Sequence, residues 1–107
     1  MSIQRMRQTL DAIENEMRKL GVWSMEAPLP SAFESDTPFF LDTMALHEWM
    51  QWVFVARFRA LLEGGFPLPS QCAVAPVLEE YCRVNAVAGE QWVALVQQFD
   101  RLVTSGS

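Results

Sequence analysis

PFFLDTMALHEWMQWVFVARFRALLEGGFPLP, running from Pro38 to Pro69, decides the fold, because it sets aromatic and aliphatic side chains around nearly the whole circumference of one helix. A helix apolar on one stripe needs a single neighbour. One apolar nearly all round must sit centrally in its domain or offer a face to another molecule. At about 100° per residue, Leu46, Trp49, Met50, Val53, Phe54, Ala60 and Leu61 fill one broad arc. Trp52, Val55, Phe58 and Leu62 fall on the opposite half, among His47, Glu48, Gln51, Arg59 and Glu63. Asp42 is the expected N-cap, its carboxylate facing the first-turn amides, and Gly64 and Gly65 end the helix. On this straight wheel Arg57 lies at the centre of the apolar arc, where a guanidinium that keeps its proton needs a carboxylate. Asp100 and Glu79 are the candidate partners, and a stem that snorkels to solvent is the ordinary alternative.

Outward from this segment the pattern is helical on both sides. Ile3, Met6, Leu10, Ile13, Met17 and Leu20 recur at spacings of three and four, a narrow seam that Gly21 terminates. Residues 76–84 make a short helix opened by Pro76. The last helix, 90–103, carries Trp92, Leu95, Val96, Phe99, Leu102 and Val103 on one face. The terminal TSGS is expected to fray. Val22 to Leu41 holds Pro28, Pro30 and Pro38 and is a long connection. Its Trp23, Phe33, Phe39 and Phe40 are expected to anchor it as an ordered loop across the bundle. The expectation is an all-α four-helix bundle, one domain over 1–107, with helices near 3–20, 42–63, 76–84 and 90–103 and a long ordered loop between the first two.

Composition narrows function by exclusion. The chain has 107 residues, enough to bury roughly 60–70% of its unfolded surface. Thirteen acids against eight basic residues give a net charge of -5, the wrong sign for a protein that holds nucleic acid by neutralising phosphates. No direct binding of RNA or DNA is expected. No apolar run approaches the about 20 residues needed to span a bilayer, and the N-terminus mixes charge into its apolar positions, unlike a signal peptide. Cytoplasmic location, with reduced Cys72 and Cys82, is expected. Those thiols lie too far apart for the local pairs of a zinc site, and His47 has no ligand partner beside it. Neither cysteine sits in an arrangement that supplies an activating base, no phosphate loop occurs, and Glu79 and Glu80 point about 100° apart. No catalytic, cofactor or metal residue is assigned.

The residues left for function are those of an interaction surface: Phe39, Phe40, Asp42, Trp49, Trp52, Arg57 and Phe66. Most of Trp49, Phe54 and Phe58 belongs in a core. Trp52 and Phe66 are hard to bury together with the opposite arc, and exposed they would mark a protein-binding patch.

Three segments carry a family resemblance: PFFLDTM at Pro38 to Met44, EWMQWVF with Arg57 after it at Glu48 to Arg57, and PLP with AVAP at Pro67 to Pro76. From about Trp23 to Glu79 the chain resembles the YqcC-like family of small bacterial helical proteins. The resemblance implies an all-α four-helix bundle. Through gene neighbourhood it also implies an accessory role beside a tRNA pseudouridine synthase, with no catalytic residues to carry over. Members commonly have proline before the arginine where this chain has Ala56, so a straight second helix is expected here. Two functions of different class follow: an adaptor docking on a tRNA-modifying enzyme, or a small-molecule binder in which Arg57 grips an anion inside an aromatic pocket. A homodimer through the second helix is a third. An Arg57 paired to protein carboxylates favours the adaptor, and one at the floor of an open apolar pocket favours the binder.

Overall fold

The computed structural model describes residues 2–105, and among them there are helices and no strand. Helix α1 spans Ser2–Leu20. Its seam is as the spacing predicts: Met6, Leu10, Ile13 and Met17 are buried, while Ile3 at the open end stays exposed. Gly21 takes φ +76, and Val22 N–H reaches Met17 O at 3.0 Å while Gly21 N–H reaches Arg18 O at 3.1 Å. These are the two bonds of a Schellman stop, which satisfies carbonyls that the helix end would otherwise leave bare.

The loop after α1 is ordered by polar as well as aromatic ties. Trp23 packs on the core under the Arg18 guanidinium, whose Cζ lies 5.1 Å from the ring centroid. Two 3-10 turns follow, Pro30–Glu34 and Pro38–Phe40. Ala32 is buried in the first, and its carbonyl accepts from Thr43 Oγ1 at 2.7 Å. Phe39 stands edge-on to Trp49 at 4.8 Å between centroids.

The second helix corrects the sequence reading twice. It begins at Leu46, four residues beyond Asp42, so Asp42 is not its N-cap. Phe40 sits in the left-handed region, which no helix can run through. A turn in which Thr43 and Met44 N–H both reach Phe40 O at 3.0 Å carries the chain on and buries Met44. The exposed Asp42 carboxylate accepts instead from the Ser35 hydroxyl, which holds its pKa below the usual aspartate value. Ala45 precedes the helix with no side-chain acceptor, and Glu48 Oε1 reaches back to its N–H at 2.8 Å, the reciprocal half of a capping box.

Nor is this helix straight. Helix α2, Leu46–Trp49, passes into a π-helical segment, Met50–Val55, before α3, Ala56–Gly64. The wider π turn rotates everything after it relative to a straight wheel. Phe58 and Leu62 turn into the core, and Ala60 and Arg57 turn out to solvent. Arg57 therefore pairs with neither Asp100 nor Glu79. Asp100 is buried and accepts instead from Ala75 N–H at 2.8 Å and from the Cys72 thiol at 3.1 Å. Arg59 instead crosses between helices, with Nη1 2.6 Å from Glu14 Oε1 and Nη2 2.9 Å from Asp11 Oδ1, and Arg7 Nη2 donates across to Leu62 O at 3.1 Å.

Helices α4, Ala75–Val84, and α5, Glu90–Ser105, complete the bundle, so that α1, the α2–π–α3 rod, α4 and α5 are its four members. Helix α5 packs along α1 and against α4. At the centre Phe54, Phe58 and Phe99 meet edge to face, with centroids 4.8 to 5.4 Å apart. Such contacts add about 0.5–1.5 kcal/mol each beyond the burial of area. The tail is firmer than expected: Thr104 stays helical and its hydroxyl brackets the Cys72 peptide, accepting from N–H at 3.1 Å and donating to O at 3.2 Å. The final two residues of the TSGS tail lie outside the described residues.

Candidate functional site

The site grows from a strained dipeptide. Phe39 and Phe40 both have positive φ, 58° and 53°. For bulky side chains this backbone costs about 1–3 kcal/mol each and persists only where the surroundings hold it. Here Phe39 is held inward against Trp49, which in turn touches Phe54 at 5.8 Å between centroids. Phe40 is turned the other way. With Phe33, Trp52, Val53, Ala56 and Arg57 it lines an open surface depression of about 390 Å³.

Trp52 walls this depression off from a second of about 330 Å³, in which Trp23, Met25, Gln51 and Arg59 take part. Gln51 was not picked out by the sequence reading, yet it is buried and grips the loop with both ends of its amide. Oε1 accepts Ser24 N–H at 2.7 Å and Nε2 donates to Ser24 O at 2.8 Å. It fixes the floor on which Trp23 and Trp52 stand. Trp52 Nε1 is covered and has no acceptor, and Arg57 is exposed and makes no hydrogen bond or ion pair. Arg57 thus brings an unpaired cation to the depression, while the Trp52 N–H is closed off from solvent.

Of the residues singled out from sequence, the structure brings Phe40, Trp52 and Arg57 together, seats Phe39 and Trp49 beneath them, and leaves two apart. Asp42 faces solvent in its turn. Phe66 is 60% exposed beyond the end of α3, its ring folded against Gly64. A further concavity, about 500 Å³, lies between the loop and α4 and is lined by Leu41, Leu46, Val77, Tyr81 and Val84 among others. Beside it His47 Nδ1 is 2.7 Å from the Tyr81 hydroxyl, and burial raises the phenol pKa. The exposed Leu41 within PFFLD was the only signal of this groove.

Chemically reactive groups are quiet. Burial first, then the hydrogen bond to Asp100, pushes the Cys72 thiol far up, and burial likewise raises Cys82. Both stay protonated, which removes the thiolate a nucleophile or metal site needs. Among the described residues no group of three or more His, Cys, Asp or Glu is placed to hold a metal, and no helix is long and apolar enough to cross a membrane.

Fold and surface together define a small all-α bundle whose distinctive surface feature is an aromatic depression beside an unpaired arginine. The sequence pattern of the family DUF446, described as tRNA pseudouridine synthase C, matches residues 5–102, and the chain belongs to this family of YqcC-like proteins. An uncharacterized protein of Haemophilus influenzae is 43% identical over 74 residues, covering 69% of this chain and 70% of its own. The uncharacterized protein YqcC of Escherichia coli is 44% identical over 75 residues, 70% of this chain and 69% of its own. The solution NMR structure of that E. coli protein superposes with a TM-score of 0.85 at 34% identity, covering 99% of this chain and 91% of that one. A 65-residue stretch is also 45% identical to part of tRNA pseudouridine synthase C of Pectobacterium carotovorum, covering 61% of this chain and 17% of the synthase.

Proposed function

We propose that the chain is a non-catalytic protein partner of a tRNA pseudouridine synthase, docking on the enzyme without binding tRNA strongly itself. The observation that carries this is the match to the Pectobacterium protein: a segment like this chain makes up 17% of a protein named as the synthase, on one polypeptide with a much larger remainder. Covalent linkage supplies a local concentration of order millimolar. A chain that works from outside must replace that linkage with a binding surface. The net charge of -5 favours protein over RNA as the direct contact.

Arg57 unpaired at an open aromatic depression is the outcome that favoured a small-molecule binder, so that reading needs weighing. Sites for small ligands enclose about 70–90% of the ligand surface. This depression is a shallow opening beside an exposed helix face, better suited to a group delivered by a larger partner.

The test pairs two measurements. Titration calorimetry of the purified chain against the synthase from the same host should give a saturable complex, with negligible retention of tRNA by the chain alone at moderate salt. Deleting the gene should lower pseudouridine at the synthase's target site. No complex together with unchanged pseudouridine would overturn the proposal.

A further inference from the structure

We infer that the depression formed by Phe33, Phe40, Trp52 and Arg57 receives a single carboxylate side chain of the protein partner, flanked there by apolar residues. The inference rests on the partner reading above and specifies its chemistry. The depression offers one cation, the exposed Arg57 guanidinium, which has no acceptor in the chain. A guanidinium fork matches a carboxylate with two parallel hydrogen bonds, and the aromatic rings beside it limit the water that competes for them. The walls are phenyl and aliphatic, so the group that enters must bring apolar flanks. Trp and Arg in a partly desolvated pocket are also the residue types on which binding energy concentrates.

Charge decides between a carboxylate and a nucleic-acid phosphate. A phosphate backbone brings many negative charges toward a chain of net charge -5, while one carboxylate on a protein brings one. Arg57 has no partner within the chain, so reversing its charge removes no internal contact. That separates a docking role from a structural one.

In titrations with the synthase, Arg57→Glu should weaken the complex at least tenfold and Phe33→Ala, which removes one ring of the wall, about threefold. Arg5→Glu makes the same charge change on α1, away from the depression, and should shift affinity less than twofold. An acid-to-arginine substitution on the synthase should restore binding to Arg57→Glu. A second measurement does not depend on the synthase. Acetyl-Leu-Asp-Leu-amide at millimolar concentration should shift the Trp52 indole N–H resonance in the wild type and not in Arg57→Gln, and acetyl-Leu-Asn-Leu-amide should not. A synthase complex that Arg57→Glu leaves within twofold overturns the site and spares the partner proposal. If no complex forms, the peptide decides alone, and an unmoved indole resonance overturns the inference. If Arg57→Glu instead lowers retention of naked tRNA, the depression is an RNA contact and the inference is wrong.

Discussion

Replacing Gln51 by Ala should loosen the loop that supports the candidate site, and the size of the effect follows from two bonds. The Gln51 amide holds Ser24 N–H at 2.7 Å and Ser24 O at 2.8 Å across 27 residues of sequence. Each bond contributes about 1 kcal/mol net, and a group left covered without a partner costs about 1–3 kcal/mol. Gln51 is buried but Ser24 is half-buried, so water reaches part of the vacated space, and the expected loss is about 2–4 kcal/mol. In a domain of this size that lowers the melting temperature by roughly 10–20 °C. Urea unfolding reads the loss, and amide exchange locates it, with protection falling first from Val22 to Met44. Gln51→Glu adds a pH signature. Ionised, the introduced carboxylate still accepts Ser24 N–H but opposes Ser24 O, and burial with that opposition raises its folded pKa above the unfolded value of about 4.3. A raised folded pKa gives stability that is present below the unfolded value and lost as pH rises through the folded one. This variant should therefore approach the wild type near pH 4 and fall behind it at pH 7. A loss under about 0.5 kcal/mol for Gln51→Ala, with the Ser24 amide exchanging as slowly as before, would refute the reasoning.

Other parts of the fold make shorter predictions. For Glu14, burial pushes its pKa up but the hydrogen bonds from Arg59 and Arg18 together outweigh it, leaving the pKa lowered. Its contribution is present above the unfolded value and disappears as pH falls through the folded one, so the deficit of Arg59→Ala, about 1 kcal/mol at pH 6, should shrink in thermal melts below pH 4. Ala86 has φ 55° just past α4, where Val87 N–H reaches Cys82 O at 2.9 Å, the position of a Schellman stop that glycine fills without strain. Ala86→Gly should raise stability by about 0.5–1 kcal/mol in urea unfolding, and a loss would contradict this. Asp100→Ala strips the acceptor from the first turn of α4 and should cost about 2–3 kcal/mol, whereas Asp100→Asn, which keeps an acceptor oxygen, should cost clearly less by the same measurement.

How legible the fold was differs from helix to helix, and the spacing of apolar residues explains why. The seam of α1 alternates threes and fours, the signature of an unperturbed helix, and it was readable to within a residue at both ends. In the rod α2–π–α3 Leu46, Met50, Phe54, Phe58 and Leu62, each four beyond the last, are all buried. A straight helix drifts about 40° for every four residues, so over this run the side chains would fan through roughly 160°. The wheel accordingly put Phe58 and Leu62 on the opposite half from Leu46. The π segment takes up that drift and returns all five to the core. The strict spacing of four was therefore visible in the sequence, but it was read against a period that the helix does not keep. Ala56 in place of proline was taken to favour a straight helix, yet the irregularity ends one residue before it without needing a proline. The displaced Arg57 is a direct consequence, as is Arg59 taking the cross-helix role. Other features had no sequence signal: the sign of φ at Phe39 and Phe40 and the reach of Gln51 to Ser24 are products of tertiary packing, which propensity does not encode.

Several of the places where local preference loses to the fold meet at one depression, although Ala86, with φ 55°, and the Trp92 N–H without an acceptor lie elsewhere. The π segment supplies Trp52 and Val53, the left-handed backbone supplies Phe40, and the covered N–H without an acceptor belongs to Trp52, all at one depression. A sequence shaped only for stability tends to agree with itself at every level, and departures concentrate where another demand acts. Stability alone offers no reason to force two phenylalanines into a disfavoured backbone at this depression. A partner that supplies a carboxylate and apolar flanks would pair with Arg57 and cover the aromatic walls. The strain at Phe39 and Phe40 then has a role as pre-organisation, because the depression is already shaped before the partner arrives and less ordering remains to be done on binding.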